Sequence, residues 1–227
     1  MGELVEFASN GSTAQGYLAL PESGTGPGLI VIQEWWGLND HIKDLTDRFA
    51  AAGYVALAPD LYHGTVVEEP DEAGKEMMAL QLERAANDLS GAVDEVRRRS
   101  GADKIGVTGF CMGGGLTLTL AAQRPDAVAV AVAWYGVIPW ENAQPDWSAV
   151  EGRITCHIAS EDGFFGPEAA AQLEATLADL GKDHEFWIYE GAEHAFFNDT
   201  RPEVYHAEHS ATAWQRTLDE LSSLSPG

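Results

Sequence analysis

Apolar and polar positions alternate along this chain in blocks of two kinds. Short apolar runs bounded by turn residues read as strands. Longer stretches with apolar residues every three or four positions read as helices. Val5-Glu-Phe and Gln15-Gly-Tyr-Leu-Ala-Leu form an opening pair of strands around Ser9-Asn10-Gly11. A Gly/Pro loop from Pro21 to Gly28 leads into Gly28-Leu-Ile-Val-Ile-Gln, an apolar run that reads as a buried strand. From His41 to Ala52, Ile42, Leu45, Phe49 and Ala50 keep helical spacing, and Gly53 ends the helix. Tyr54-Val-Ala-Leu-Ala is the next strand, closed by Pro59-Asp60. After a polar segment, Met77 to Arg99 reads as one long helix. Lys104 to Gly109 is a strand, Gly113 to Gln123 a helix, and Val128 to Tyr135 a strand. Arg153 to Ala159 is a strand, Pro167 to Leu180 a helix, Glu185 to Tyr189 a strand, and Pro202 to Leu221 the final helix.

Alternating strands and helices predict an α/β chain, with a mostly parallel twisted sheet and helices on both faces. No stretch reads as a linker, so residues 1–227 are expected to form one domain. In such sheets functional residues gather beyond the carboxyl ends of the strands.

The strongest chemical signal is Gly109-Phe-Cys-Met-Gly113, placed between a strand and a helix. This is the nucleophile-elbow pattern with Cys111 in the serine position. A thiol at a helix N-terminus is favoured as thiolate. The competing reading is a buried structural cysteine in a glycine-rich turn. An elbow needs an acid and then a histidine later in the chain, each at a strand end. Asp162 follows Arg153–Ala159, and His194 follows Glu185–Tyr189. The histidine would take the proton and the aspartate would hold its tautomer. Glu161 competes for the acid role; Asp162 is preferred because Gly163 follows it. Glu34, in Gln33-Glu-Trp-Trp-Gly, sits where elbow hydrolases supply a second oxyanion N–H. Its ordinary reading is a partly exposed glutamate capping a turn.

These pieces together resemble the dienelactone hydrolase family, of the α/β-hydrolase fold. The matching segments are Gln33-Glu-Trp-Trp-Gly, Tyr54-Val-Ala-Leu-Ala-Pro-Asp-Leu-Tyr, Gly109-Phe-Cys-Met-Gly-Gly, Asp162 and Gly191-Ala-Glu-His-Ala-Phe, and they span nearly the whole chain. The resemblance implies a Cys111–His194–Asp162 triad. It implies that Glu34 contacts the resting thiol and helps deprotonate it. It also implies an oxyanion hole made by the N–H groups of Met112 and Trp35. The family's reference reaction converts dienelactone to maleylacetate. Its members hold the substrate carboxylate with two arginines. One lies four residues after the histidine, where this chain has Asn198, and the stretch 61–83 that should carry the other holds only Lys75. Arg84 and Arg201 are nearby in sequence. The departure favours a general carboxylesterase acting on neutral esters as the alternative reaction. A non-catalytic thiol sensor or binding module on the same fold is the alternative of another class.

Trp36, Tyr62, Phe164 and Phe196 fall in the strand-end loops and are expected to line the substrate pocket, with Phe165 and Phe197 as further candidates. Cys156 lies mid-strand and reads as a buried structural thiol. Glu203, His206 and His209 stand at helical spacing, where a solvated helix face outweighs a metal site. No cofactor and no metal are expected.

Charge narrows the partners. With 36 acidic against 13 basic residues the net charge is −23, the reverse of the basic footprint that nucleic acid or an anionic membrane requires. Arg97-Arg98-Arg99, the one basic run, sits at a predicted helix end and offsets its dipole. Apolar runs stay well short of the roughly 18 residues of a membrane span, and the N-terminus has no signal-peptide pattern. Two cysteines suit a reducing compartment. The expected partner is therefore a small-molecule ester or lactone, met in the cytoplasm by a monomer or weak homodimer.

Overall fold

The computed structural model describes residues 1–136 and 138–225. One sheet of eight strands organises the molecule, in the order β1-β2-β4-β3-β5-β6-β7-β8. The strands are β1 (Glu3–Ser9), β2 (Ser12–Ala19), β3 (Gly28–Ile32), β4 (Val55–Pro59), β5 (Ile105–Phe110), β6 (Val128–Trp134), β7 (Arg153–Ala159) and β8 (His184–Tyr189). The hairpin β1–β2 joins antiparallel to β4; the remaining neighbours pair in parallel. Every residue of β3, β4 and β5 is buried, as expected of strands covered on both faces.

Helices α1 (Asp40–Ala51), α2 (Pro70–Ala79), α3 (Leu82–Ser100), α4 (Met112–Gln123), α5 (Pro167–Asp179) and α6 (Ala207–Leu221) complete the layers. Local chemistry explains their ends. The Asn39 side chain accepts the Ile42 N–H at 3.1 Å and caps α1. Gly101, at φ 73°, closes α3 beyond Arg97–Arg99. The basic run thus ends a helix, with Arg98 and Arg99 both bonded to Glu95.

Two expectations need correction. The helix read as continuous from Met77 to Arg99 is two helices, separated by Leu80 and Gln81, whose ψ angles of 124° and 93° lie outside the helical region. The interruption is tertiary: the Trp140 indole N–H donates to the Met77 carbonyl at 3.2 Å, which leaves that oxygen engaged outside the helix. Pro70, at the first helical position, starts α2 inside the segment read as merely polar. The last helix begins at Ala207, not Pro202. His206 caps it by accepting the His209 N–H.

Along the chain β3 is followed by β4 on one side and then by β5 on the other. The strand order reverses there, and this is where open α/β sheets leave a crevice. All parallel strands present their carboxyl ends at the same edge of the sheet, so the loops after β3, β5, β6, β7 and β8 converge.

Candidate active site

Cys111 stands between β5 and α4 at φ 55°, ψ −117°, a strained conformation for a residue with a side chain. Close packing on either side enforces it. A Cβ on Gly109 would lie 2.2 Å from the Gly113 carbonyl oxygen. One on Gly113 would lie 2.4 Å from the carbonyl oxygens of Ile32 and Gln33. The glycines let α4 start directly against β3. Met112 is the first residue of α4, so its N–H has no intrahelical acceptor. The helix dipole also favours negative charge at this end.

Asp162 and His194 arrive on the loops after β7 and β8. These loops are tied together: Glu161 N–H donates to the Ala192 carbonyl at 2.9 Å, and Gly191 N–H to the Ser160 hydroxyl at 2.8 Å. His194 Nδ1 donates to Asp162 Oδ2 at 2.8 Å. Asp162 Oδ1 accepts the N–H groups of Phe164 at 2.7 Å and Phe165 at 3.2 Å. Of the two acids weighed from sequence, Asp162 holds the histidine, while Glu161 is exposed at the cavity rim. With Nδ1 committed, Nε2 of His194 is the nitrogen left for Cys111, which shares the cavity floor with the ring.

The electrostatics follow from burial and these bonds. Burial works against a charged His194, but the Asp162 bond and the Cys111 side chain outweigh it, holding the imidazole above its usual range. Burial would raise Asp162; the His194 bond and charge, with the two N–H donors, keep it below the usual carboxylate range. For Glu34 burial wins. The carboxyl is pushed up to about 7, although the His194 charge, an Asn198 hydrogen bond and the Arg201 charge all favour the anion.

A cavity of about 380 Å³ opens above these residues. Glu34, Cys111 and His194 form its floor together with Trp35; Trp36, Met77, Phe164 and Arg201 are among its walls. Such a volume suits a small organic molecule. Phe164, 68% exposed, meets the edge of the His194 ring at 5.1 Å. Tyr135 meets another side of that ring at 5.1 Å, and its buried hydroxyl has no hydrogen-bond partner.

Of the aromatics expected to line the pocket, Trp36 and Phe164 do. Phe196 does not: it is fully buried against Trp134, Tyr135 and Tyr189. Tyr62 lies behind the site, its hydroxyl 3.4 Å from Met112 Sδ. Phe165 packs in a separate cluster with Ile158 and Leu177, and Phe197 stacks on Phe110. Alternation along a loop decides which ring faces inward, and sequence does not carry that. Arg84 is remote from the cavity and contacts His63 instead. Arg201 reaches the wall from three residues beyond Asn198, its guanidinium 5.7 Å from the Trp36 ring centre. Cys156 is buried, its thiol pushed above the usual range. The pair His206 and His209 stack with centroids 3.9 Å apart; His209 Nε2 meets the Glu190 carbonyl, so these rings serve the start of α6. Sequence reading missed Met77 and Tyr135. Met77 reads from sequence as the start of the helix to Arg99, and only the break after Ala79 puts it on a separate helix beside the cavity.

Among the described residues no helix is long and apolar enough to cross a membrane. The model of the dienelactone hydrolase family matches residues 14–225. The chain is 36% identical over 226 residues to "Protein usf" of Aquifex pyrophilus, covering 96% of each. It is 34% identical over 227 residues to a "Putative carboxymethylenebutenolidase" of Aquifex aeolicus, covering 96% of this chain and 97% of that one. Among solved structures, a "Putative Dienelactone Hydrolase" from Klebsiella pneumoniae superposes with a TM-score of 0.87 at 28% identity, over 98% of this chain and 99% of the other.

Proposed function

The chain belongs to the dienelactone hydrolase family and is a carboxylic ester hydrolase, and from that premise we propose that it opens lactones or esters with Cys111 as nucleophile. The observation that carries this reading is the His194–Asp162 pair, held at 2.8 Å on the same cavity floor as Cys111, whose backbone is strained.

The cycle starts with Glu34 ionised and His194 protonated. Glu34 takes the thiol proton. The thiolate attacks the substrate carbonyl, and the oxyanion is met by the N–H groups of Met112 and Trp35. Collapse breaks the C–O bond; the departing oxygen takes a proton from His194. Neutral His194 then accepts a proton from water as the water oxygen attacks the thioester. Thiolate is expelled, the acid leaves, and Glu34 returns its proton to sulfur. Thiolate leaves more easily than an alkoxide, so forward collapse of the first intermediate is favoured most when the departing oxygen is a weak base that needs little help from the His194 proton. Enol lactones and aryl esters meet that condition.

A second reading, hydrolysis of neutral esters, draws support from Asn198. It stands where the family has a substrate-binding arginine, and its amide is engaged with Glu34 rather than the cavity. Arg201 is the cation in the wall, and its Nε is paired with Glu203 at 2.9 Å. Both cysteines are free thiols, in keeping with action on a small molecule in a reducing compartment.

Hydrolysis of dienelactone and of a short aryl ester, by wild type and Cys111→Ala, tests both. Turnover of either that disappears in the folded variant supports the thiol; residual turnover near wild type moves the nucleophile elsewhere. Aryl ester turnover without dienelactone turnover selects the neutral substrate.

A further inference from the structure

Asn198 is 1% exposed and every polar atom of its amide is committed. Oδ1 accepts the Thr200 N–H at 3.1 Å and the Thr200 hydroxyl at 2.6 Å; Nδ2 donates to Glu34 Oε2 at 2.8 Å. A flipped amide would set NH₂ against an N–H donor and its oxygen against a carboxyl oxygen, so the orientation is determined. The backbone is pinned as well: Asn198 N–H donates to the Ala195 carbonyl at 2.9 Å, and its own carbonyl accepts Arg201 N–H at 3.1 Å. The loop that carries His194 therefore presents a rigid, uncharged donor to one oxygen of Glu34.

The charged and titratable groups around Glu34 come from two further elements and from this loop. Cys111 faces it from the β5–α4 turn, Tyr135 from the end of β6, and His194 and Arg201 from the loop of Asn198 itself. A cationic donor bonded directly to Glu34 would hold it as a firm anion and a weak base. The neutral amide holds the oxygen in place and favours the anion less than a cation would, so burial still leaves the carboxyl at about 7.

We propose that Asn198, oriented by Thr200, is a positioning residue that keeps Glu34 placed and ionised, ready to take the Cys111 proton. This rests on the reading of Cys111 as nucleophile. The S–H bond breaks, an O–H bond forms on the Glu34 carboxylate, and sulfur keeps the electron pair.

The test follows two rates from about pH 5 to pH 9: alkylation of Cys111 by iodoacetamide, and kcat/KM for an aryl acetate. In wild type both fall as pH drops through the Glu34 titration. Asn198→Asp sets a second carboxyl against Glu34 and should move that limb upward. The expected loss is about tenfold at pH 7 for each pH unit of movement, with recovery in alkaline buffer. Thr200→Val removes one of the two donors that orient the amide and should move the limb the same way by less. A limb that stays in place, with rates lowered equally at every pH, overturns the proposal and makes Asn198 merely structural. Should circular dichroism show Asn198→Asp unfolded, Thr200→Val decides alone, and an unmoved limb again overturns it. Failure of the underlying reading looks different: alkylated wild type would then still hydrolyse ester.

Discussion

His41 and Glu34 are buried groups whose effects on stability run in opposite directions with pH. His41, the second residue of α1, is 5% exposed, and neither ring nitrogen has a hydrogen-bond partner. Its nearest acid, Asp199, is 3.6 Å from Nδ1. Burial pushes the imidazole down to about 4 from 6.5, with Asp199 only partly opposing. As pH falls through 6.5 the unfolded chain takes a proton that the folded chain refuses. The stability contributed by the neutral ring is therefore full above 6.5 and is lost on acidification toward 4. Between pH 7 and pH 5 the loss is about 2 kcal/mol. Replacing His41 by Leu removes the proton site; its packing effect is the same at both pH values and cancels. Urea unfolding followed by tryptophan fluorescence should show the variant gaining about 2 kcal/mol on wild type between pH 7 and pH 5. For Glu34 the folded value is raised to about 7 from 4.5, so the folded chain binds the proton first. Its contribution is present at low pH and is lost as pH rises through 7. Glu34→Gln should fall behind wild type by about 2 kcal/mol over the same acid step. A stability gap for His41→Leu that does not change with pH refutes the reasoning, as does one that changes in the other direction.

Two further predictions concern the elbow and its partner acid. Asp162→Asn leaves an amide oxygen for the Phe164 and Phe165 N–H groups but sets NH₂ against His194 Nδ1, forcing the wrong tautomer. Steady-state kinetics should show kcat reduced by about 10⁴-fold with the fold intact; a loss below tenfold would mean that Asp162 does not orient His194. Gly113→Ala places a methyl 2.4 Å from two carbonyl oxygens of the β3 end, neither on a flexible side chain. Denaturant melts should register about 1–3 kcal/mol of destabilisation, and the displaced Met112 N–H should cost about 100-fold in kcat. An unchanged midpoint would mean that α4 has room to spare.

The central strands were legible because burial on both faces leaves near-continuous apolar runs, as in Gly28–Ile32 and Ile105–Phe110. The elbow was legible because close backbone packing leaves glycines at fixed offsets from Cys111. The break at Leu80 was not, since it depends on an indole 63 residues away that engages the Met77 carbonyl. Nor was the inward choice of Phe164 over Phe196, or the role of Asn198, which is bonded to a side chain 164 residues distant.

The amino-acid sequence by itself determined the order of strands and helices, the elbow at Cys111 and the acid-then-histidine sequence of Asp162 and His194. Each of these is a local requirement: hydrophobic period, backbone strain, turn chemistry. Tertiary structure decided which nearby groups meet. It put Asp162 rather than Glu161 on His194, brought Arg201 rather than residue 198 to the cavity wall, and bonded Glu34 to a neutral amide. Those outcomes depend on where loops from five separate strands cross, and on how far burial raises one carboxyl against the charges around it. Both are properties of the assembled sheet edge, which no local stretch of the chain encodes.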